Sequence, residues 1–344
     1  MMPPEDTAPS QEFLTVFRAE ANSSGRMSFA RFMELALYHP QVGYYRRDQP
    51  RVGYAAGTDF FTASTSGPIF GELVAAACVK LLEGHNPRDY TFVEIGAEPP
   101  AVSSAERFDP ARGRTDGGIM AGVTHPFGAV HTLRVGDPIE LAGRCVVFSN
   151  ELFDAQPFHR FVFRRGAWRE FGVTLQTGRL IEIELVEPTA APPSGVAPEG
   201  YVFDAPLAAE KFAEVIAARR WTGLFVACDY GKSLRELMES CPAGTARAYH
   251  RHAQFNDLLA RPGQQDITCH ICWDWLGEAL SRHGFITPTV ESQEAFFIHH
   301  AAEVIAATSA AEAARFSQKK LALMQLLHPS HLGQKFQVLH AWRG

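Results

Sequence analysis

The sequence predicts an α/β fold built on a doubly wound, mostly parallel sheet, and three observations predict it. Short apolar runs recur at Tyr90–Ile95, His131–Val135, Cys145–Phe148 and Leu224–Cys228, with the length and composition of strands buried on both faces. Helical spacing lies between some of them, as at Ala205–Arg219, and strands alternating with helices imply a sheet covered on both sides. Small or polar residues follow the runs, at Glu94-Ile95-Gly96, Asp137, Ser149-Asn150-Glu151 and Asp229-Tyr230-Gly231. Ligands of such sheets bind beyond the carboxyl ends of the strands, so these are the places to look for a site.

The elements follow in order. The first ten residues, with Glu5, Asp6 and prolines, read as a frayed tail without a secretory or transit pattern. Phe13, Val16 and Phe17, then Phe29, Phe32, Leu35 and Ala36, fall at helical spacing, with Ser28 placed to cap the second helix. The aromatic, Gly-containing run Tyr38–Tyr45 reads as loop, as does Gly57–Thr62, and a helix is expected from Ser66 to Leu82. The first 85 residues thus show no long strand. Between the third and fourth buried runs, Phe158–Phe163, Trp168–Leu175 and Leu180–Val186 alternate like antiparallel strands, with Gly166 and Gly178 in the turns. Residues 187–200 are loop, 296–327 helical, and Lys335–Trp342 a closing strand. The expected organisation is an N-terminal helical and loop region (11–88) covering the site. A sheet domain (89–344) follows, elaborated by a β-hairpin at 158–187 and a loop and helix at 232–265.

Composition narrows the function classes. The 344 residues are 46% hydrophobic and 20% charged with a net charge of -6, which offers no basic footprint for nucleic acid or an anionic membrane. No apolar run approaches the roughly 20 residues that span a bilayer. A soluble, cytoplasmic protein is expected. Six cysteines make no disulfide scaffold, and Cys78, Cys145 and Cys228 sit among small apolar residues like buried hydrophobes. Cys269-His270-Ile271-Cys272 is a CxxC without the second pair that a structural zinc site wants. The pairs His250/His252 and His299/His300 have no carboxylate or thiolate following at metal spacing, so no metal is expected.

Several blocks, taken in order, resemble one family. They are Glu34-Leu35-Ala36-Leu37-Tyr38-His39-Pro40 with Gly43-Tyr44-Tyr45, Asp59-Phe60-Phe61-Thr62-Ala63, and Phe70-Gly71-Glu72-Leu73. Ser149-Asn150-Glu151-Leu152-Phe153-Asp154-Ala155-Gln156-Pro157 and Asp229-Tyr230-Gly231 are the sharpest. Gly244-Thr245 with Arg247, Tyr249 and His252, then Pro262–His270 and Phe336–Leu339, complete the set. Over residues 30–340 the chain resembles the MidA family of class I S-adenosylmethionine-dependent methyltransferases, whose mitochondrial relatives methylate protein arginine in complex I assembly. The resemblance implies a Rossmann-like sheet, S-adenosyl-L-methionine as cofactor, and a protein acceptor or partner. Neither nucleic acid nor membrane insertion is expected, and a homodimer is allowed.

It also implies site residues. Glu151, Asn150 and Asp59 are the catalytic candidates: an arginine acceptor is cationic, and a carboxylate can hold its guanidinium by paired hydrogen bonds. Glu94, Gly96, Asp137, Asn150, Thr62 and Gly71 are the cofactor candidates, and Phe60, Asp154, Asp229, Tyr230 and His252 the substrate candidates. The plainer readings stay open beside these. Asn150 and Asp154 form turns and caps, Asp59–Thr62 packs as loop, Asp229–Gly231 is a turn, and His270 is a hydrogen-bonded core histidine.

The pattern breaks after the first buried run. Where the family carries a Gly-rich loop, this chain reads Ala97-Glu98-Pro99-Pro100-Ala101. The two prolines have no N–H to offer a carboxylate, and Glu98 adds a like charge. Residues 103–128 show no second strand ending in an acid, with Asp109 and Asp116 as weak stand-ins. Two functions are therefore compared: an active protein-arginine methyltransferase, and a catalytically degenerate relative acting as an assembly or scaffolding factor. A dinucleotide-dependent dehydrogenase is excluded because no GxGxxG follows a strand.

Overall fold

The computed structural model describes residues 7–47, 51, 66–97, 118–311 and 317–344. The chain opens with α1 (Gln11–Glu20), a short strand β1 (Arg26–Ser28) and α2 (Phe29–Tyr38). Helix α3 (Pro68–Leu81) precedes β2 (Thr91–Ile95), β3 (Ala129–Leu133) and β4 (Gly143–Asn150). Hairpin strands β5 (His159–Arg164), β6 (Ala167–Gln176) and β7 (Arg179–Glu184) come next, then β8 (Val202–Ala205), α4 (Leu207–Ala217) and β9 (Trp221–Asp229). A run of small elements follows: β10 (Gly231–Lys232), α5 (Leu234–Glu239), β11 (Arg247–His250), β12 (Ala253–Phe255), β13 (Asp266–Thr268) and β14 (Ile271–Cys272). The chain closes with α6 (Trp273–Arg282), β15 (Ile286–Ser292), α7 (Gln293–His300), α8 (Ala302–Ala311), α9 (Gln318–Leu327) and β16 (Gln337–Arg343).

The large sheet has the order β15-β16-β9-β4-β2-β3. Strands β3, β2, β4 and β9 run parallel, and β16 and β15 are antiparallel additions at one edge. Period-two alternation sends successive side chains to opposite faces. Phe92, Phe148 and Val226 pack with Phe70 of α3, Phe297 of α7 and Leu326 of α9. Val93, Val147 and Phe225 pack instead with Ile216 of α4 and Leu276 and Leu280 of α6. Both faces of the sheet are covered, which is why its strands read as unbroken apolar runs rather than alternating ones.

A second layer sits over the carboxyl ends of the strands. Strands β5 to β8, with β1 added to β6, form an antiparallel sheet, and β11 to β13 form a smaller one. Phe13, Phe29 and Phe32 of α1 and α2 share a core with Phe158, Val173, Ala248 and Ile267. The N-terminal helices therefore pack on the elaborations rather than on the large sheet.

One expectation is corrected here. The second strand sought within 103–128 is β3 itself, which pairs directly and in parallel with β2. Its apolar signal was read two residues late, because Val135 lies beyond the ladder in the following turn. Residues 296–327 are helical as expected, in the described helices α7, α8 and α9, with Ala301 separating the first two.

Gly71 shows how closely α3 approaches the segment after β2. A Cβ there would stand 2.0 Å from the carbonyl oxygen of Ile119, a backbone atom that cannot swing aside. Gly71→Ala is expected to lower stability by about 1–3 kcal/mol, the usual range for forced overpacking, despite the better helix propensity of alanine. Urea denaturation monitored by circular dichroism checks this, and an unchanged midpoint would contradict the contact.

Candidate active site

Strands β2, β4 and β9 end together, with Ile95 opposite Ser149 and Asn150 opposite Cys228. At the end of β2, Gly96 adopts φ 85, a region that favours glycine. Its N–H and that of Ala97 both donate to the Leu133 carbonyl, at 2.8 and 3.2 Å. At the end of β4, Glu151 adopts φ 50, a left-handed conformation that costs a non-glycine residue about 1 kcal/mol or more. Strain of this kind persists only where neighbours hold it. The Glu151 N–H donates to the Cys228 carbonyl at 3.0 Å. The next two N–H groups, of Leu152 and Phe153, donate to Asp229 Oδ2 at 3.1 and 2.8 Å. The Asn150 amide donates to Glu151 Oε1 at 3.0 Å.

Four carboxylates gather around this turn. Asp154, Asp229 and Asp266 are buried and Glu151 is half-buried. Burial raises Asp154 well above the usual carboxylate range, and the charges of Asp229, Glu151 and Asp266 raise it further. Asp229 is also raised by burial, although the backbone N–H groups it accepts work against the shift. Tyrosines enclose the cluster. The Tyr45 hydroxyl donates to Asp266 Oδ1 at 2.9 Å, and the Tyr38 hydroxyl to the Ala155 carbonyl at 2.9 Å. Burial and these same carboxylates push up the hydroxyls of Tyr230 and Tyr249. Carboxylates crowded in this way are relieved by a bound cation.

Beside the cluster lies a cavity of about 270 Å³, bordered by Gly96, Ala97, Glu151 and the rings of Tyr38 and Tyr45. Its other wall is cationic, with Arg46, Arg47, Arg51 and Arg134. Two buried polar atoms of the residues preceding Glu151, Asn150 Oδ1 and Ser149 Oγ, have no hydrogen-bond partner among the described residues. Unsatisfied buried groups of this kind are rare and point to a ligand or water. A ligand carrying both an anionic group and hydrogen-bond donors fits this lining.

Of the sequence candidates, Asn150, Glu151, Gly96, Asp154, Asp229 and Tyr230 converge here. Asp229 is fully buried and holds backbone, so it is a positioning residue and not a substrate contact. Asp137 lies in the turn after β3, where its Oδ2 accepts the Arg134 N–H at 3.0 Å. By sheet position it is the acid that follows the second strand. Asp59, Phe60 and Thr62, and the Glu98–Ala101 loop, lie outside the described residues.

Others fall elsewhere. Glu94 Oε2 accepts the Ile119 N–H at 2.8 Å, so this carboxylate secures a turn of the chain. Gly71 is explained by the approach to Ile119. His252 is exposed at the turn of the β11–β12 hairpin with φ 62, which removes it from the carboxylate cluster. His270 lies between β13 and β14 and its Nδ1 has no partner among the described residues, contrary to the hydrogen-bonded core histidine expected. Burial lowers its pKa to about 4, with Lys232 and Arg247 adding to the effect. Cys269 and Cys272 are buried thiols. His299 and His300 do have a carboxylate partner, Glu291, which precedes them in the chain. The arginine wall was missed as part of the site, although the run Tyr44-Tyr45-Arg46-Arg47 was a legible signal in an acidic chain.

This geometry agrees with comparisons to known proteins. A family model described as "Putative S-adenosyl-L-methionine-dependent methyltransferase" matches residues 131–289. The mitochondrial protein arginine methyltransferase NDUFAF7 of Danio rerio is 24% identical over 300 residues, covering 74% of this chain and 68% of that protein. The chain is similar to the MidA methyltransferases. Two crystal structures from Burkholderia thailandensis, one bound to S-adenosyl-homocysteine and one native, share its fold with TM-scores of 0.77 and 0.78. Each is 24% identical, covers 100% of this chain, and is itself covered over 95% and 94% of its length. The fold is thus a Rossmann-like α/β sheet, as the strand order requires, and the family model matching residues 131–289 is described as S-adenosyl-L-methionine-dependent. No helix among the described residues is long and apolar enough to cross a membrane.

Glu94 provides a pH test of this architecture. Burial raises it from 4.5 to about 7, opposed in part by the Ile119 N–H. The folded state then holds a proton that the unfolded state has released, so stability falls as pH rises from about 4.5 to about 7. The loss is up to about 3 kcal/mol. Buried Asp154 and Asp229 act in the same sense. Glu94→Gln keeps an acceptor for Ile119 and is expected to flatten this slope in denaturation curves between pH 5 and 7. A slope identical to that of the parent protein would contradict the assignment.

Proposed function

We propose that this protein transfers a methyl group from S-adenosyl-L-methionine to the guanidinium of an arginine on a protein acceptor. The observation that carries the acceptor class is the carboxylate cluster around the strained Glu151. The zebrafish relative, a protein arginine methyltransferase, supports it. When bound, the cofactor supplies an electrophilic methyl group on a sulfonium. The protein has to bring a nitrogen into line with that group and to control its charge.

Glu151 suits that role. Its left-handed backbone aims the side chain at the cavity from the ends of the strands, and Asn150 fixes one of its oxygens. The carboxylate accepts two N–H groups of the guanidinium, orients its plane, and takes up the proton that the attacking nitrogen releases. Asp154 and Asp266 deepen the negative potential behind it. Aromatic walls from Tyr38 and Tyr45 exclude water and offer a face to a planar cation. On the opposite wall Arg46, Arg51 and Arg134 suit the cofactor carboxylate, a task that Pro99 and Pro100 cannot perform with N–H groups. Asp137, following the second strand, suits the ribose hydroxyls, and Asn150 Oδ1 suits the cofactor ammonium. Asp59, Phe60 and Thr62 we keep as candidates by resemblance.

The reading of a fold without catalysis rests on the sequence of the Glu98–Ala101 loop alone, which lies outside the described residues. The six cysteines are all free and five are buried, in keeping with a reducing compartment, and we propose the cytoplasm.

Calorimetric titration with S-adenosyl-L-methionine and S-adenosylhomocysteine tests the cofactor half, and micromolar binding is expected. Asp137→Ala should weaken it about tenfold or more, the worth of a charged hydrogen bond. Absence of heat and of thermal stabilisation at millimolar ligand would overturn the enzyme reading. Glu151→Gln should leave cofactor affinity within about twofold yet lower methyl transfer to acceptor proteins roughly a hundredfold, a typical loss for a proton acceptor. Equal loss of binding and transfer would move Glu151 to the cofactor side.

A further inference from the structure

A second constellation lies away from this site. Glu291 is near the end of edge strand β15, opposite Val338 of β16, and His340 lies two residues further along β16 on the same face. Ser292 caps α7, accepting the Ala295 N–H at 3.2 Å, and the helix lies against β15 and β16. Its last turn brings His299 and His300 to the Glu291 carboxylate. His299 Nδ1 is 2.5 Å from Oε1, His300 Nε2 is 3.0 Å from Oε2, and His340 Nε2 is 3.3 Å from the same Oε2. One oxygen or nitrogen from each of Glu291, His299 and His300 lies within 4.8 Å of the others.

From these residues we infer a binding site for a divalent transition-metal ion, zinc by donor set, held by Glu291, His299 and His300, with His340 orienting the Glu291 carboxylate from β16. The geometry suits a tetrahedral ion. Ligands held at about 2.0–2.1 Å stand about 3.4 Å apart, close to the His300 distance. Two bound imidazoles then have ring centres roughly 5 Å apart. The His299–His300 centroids are separated by 6.0 Å. Two imidazoles and a carboxylate are a borderline donor set that favours zinc and its neighbours over calcium or magnesium, which want oxygen. The seat is built rather than incidental. Glu291, His300 and His340 are only 15%, 19% and 14% exposed, whereas His299 at 59% leaves an entry path. Phe296 packs against the rings of both His300 and His340, at 5.1 and 5.8 Å, and fixes them.

The position assigns the role. Strand β15 is two places from β9 in the sheet, roughly 10 Å from the strand that carries Asp229. Three protein ligands leave the fourth position of a tetrahedral ion to water, and the separation from Asp229 makes the ion a clamp of α7 onto the antiparallel edge rather than part of methyl transfer. The inference stands independently of the proposed activity.

The test uses the full chain, stripped with chelator and titrated with zinc by calorimetry, then with cobalt for its tetrahedral visible band. One saturable equivalent is expected, together with thermal stabilisation that grows with zinc concentration. His299→Gln, at the exposed position, should weaken binding at least about tenfold, and Glu291→Gln with His300→Ala should abolish it. The His328→Ala, His331→Ala pair, altering a nearby surface histidine pair, should leave it unchanged. Cooperative unfolding of each variant in zinc-free buffer establishes that it folds. No saturable binding would leave a purely hydrogen-bonded cluster and overturn the site. So would binding that survives loss of Glu291 and His300, or that disappears with His328 and His331.

Discussion

The buried carboxylate of Asp229 is the constraint on which the site depends. It sits at the end of β9 with no exposure, yet its charge is directed across the strand gap to the Leu152 and Phe153 N–H groups at the end of β4. Without an acceptor there, two backbone donors would be buried unsatisfied, at about 1–3 kcal/mol each. With it, the chain leaves β4 through a left-handed residue instead of continuing into a helix. Glu151 occupies that residue, so the conformation of one strand end is dictated by the side chain of its neighbour. The motif Ser149–Pro157 and the motif Asp229–Gly231 are therefore halves of one device, although 70 and more residues separate them.

The charge pattern follows from the same geometry. Carboxylates collect on the side where β4 and β9 end, and arginines on the side of the segment that follows α2. Arg46 ties the two parts of the structure together, donating to the Tyr38 and Val135 carbonyls at 3.3 Å each. Its guanidinium thus joins the end of α2 to the turn beyond β3. A cavity lined by one carboxylate, Glu151, and by Arg46, Arg47, Arg51 and Arg134 selects by orientation: a cationic group is drawn to the carboxylate and an anionic group to the arginines. In a site shielded from water such discrimination is worth far more than it would be at the surface.

The large sheet was legible because burial on both faces leaves a strong local mark. Thr91–Ile95, Gly143–Asn150 and Trp221–Asp229 are apolar on both sides, and no other environment in a globular domain demands that over so few residues. β3 left a weaker mark, since it lies at the sheet edge with His131 exposed, and its apolar run was read out of register. The site was legible where residues follow a strand directly, as at Asn150 and Glu151. It was illegible where a side chain acts on its own backbone. The sequence does not show that Glu94 accepts the Ile119 N–H. Nor does it separate a Gly71 that contacts a ligand from one that admits a neighbouring carbonyl.

The histidines expose a different limit. Sequence spacing finds metal ligands when they share a helix or a tight loop, because only then does chain distance report spatial distance. Here Glu291 precedes His299 by eight positions across a turn, and His340 lies 40 positions beyond His300. Antiparallel pairing brings β16 beside β15, and the short helix α7 folds its own last turn back to where it began. An eight-residue helix rises only about 12 Å, so a strand end and the helix that leaves it stay within reach of one side chain. The cluster is a product of topology. Its members converge because the edge of the sheet is closed by a strand that returns from the end of the chain, the same arrangement that places Phe336 beneath Tyr230 at 4.1 Å. The C-terminal strand thus connects the wall of the active site to the outer edge of the fold, and whatever fixes that edge also steadies the ring beside the carboxylates.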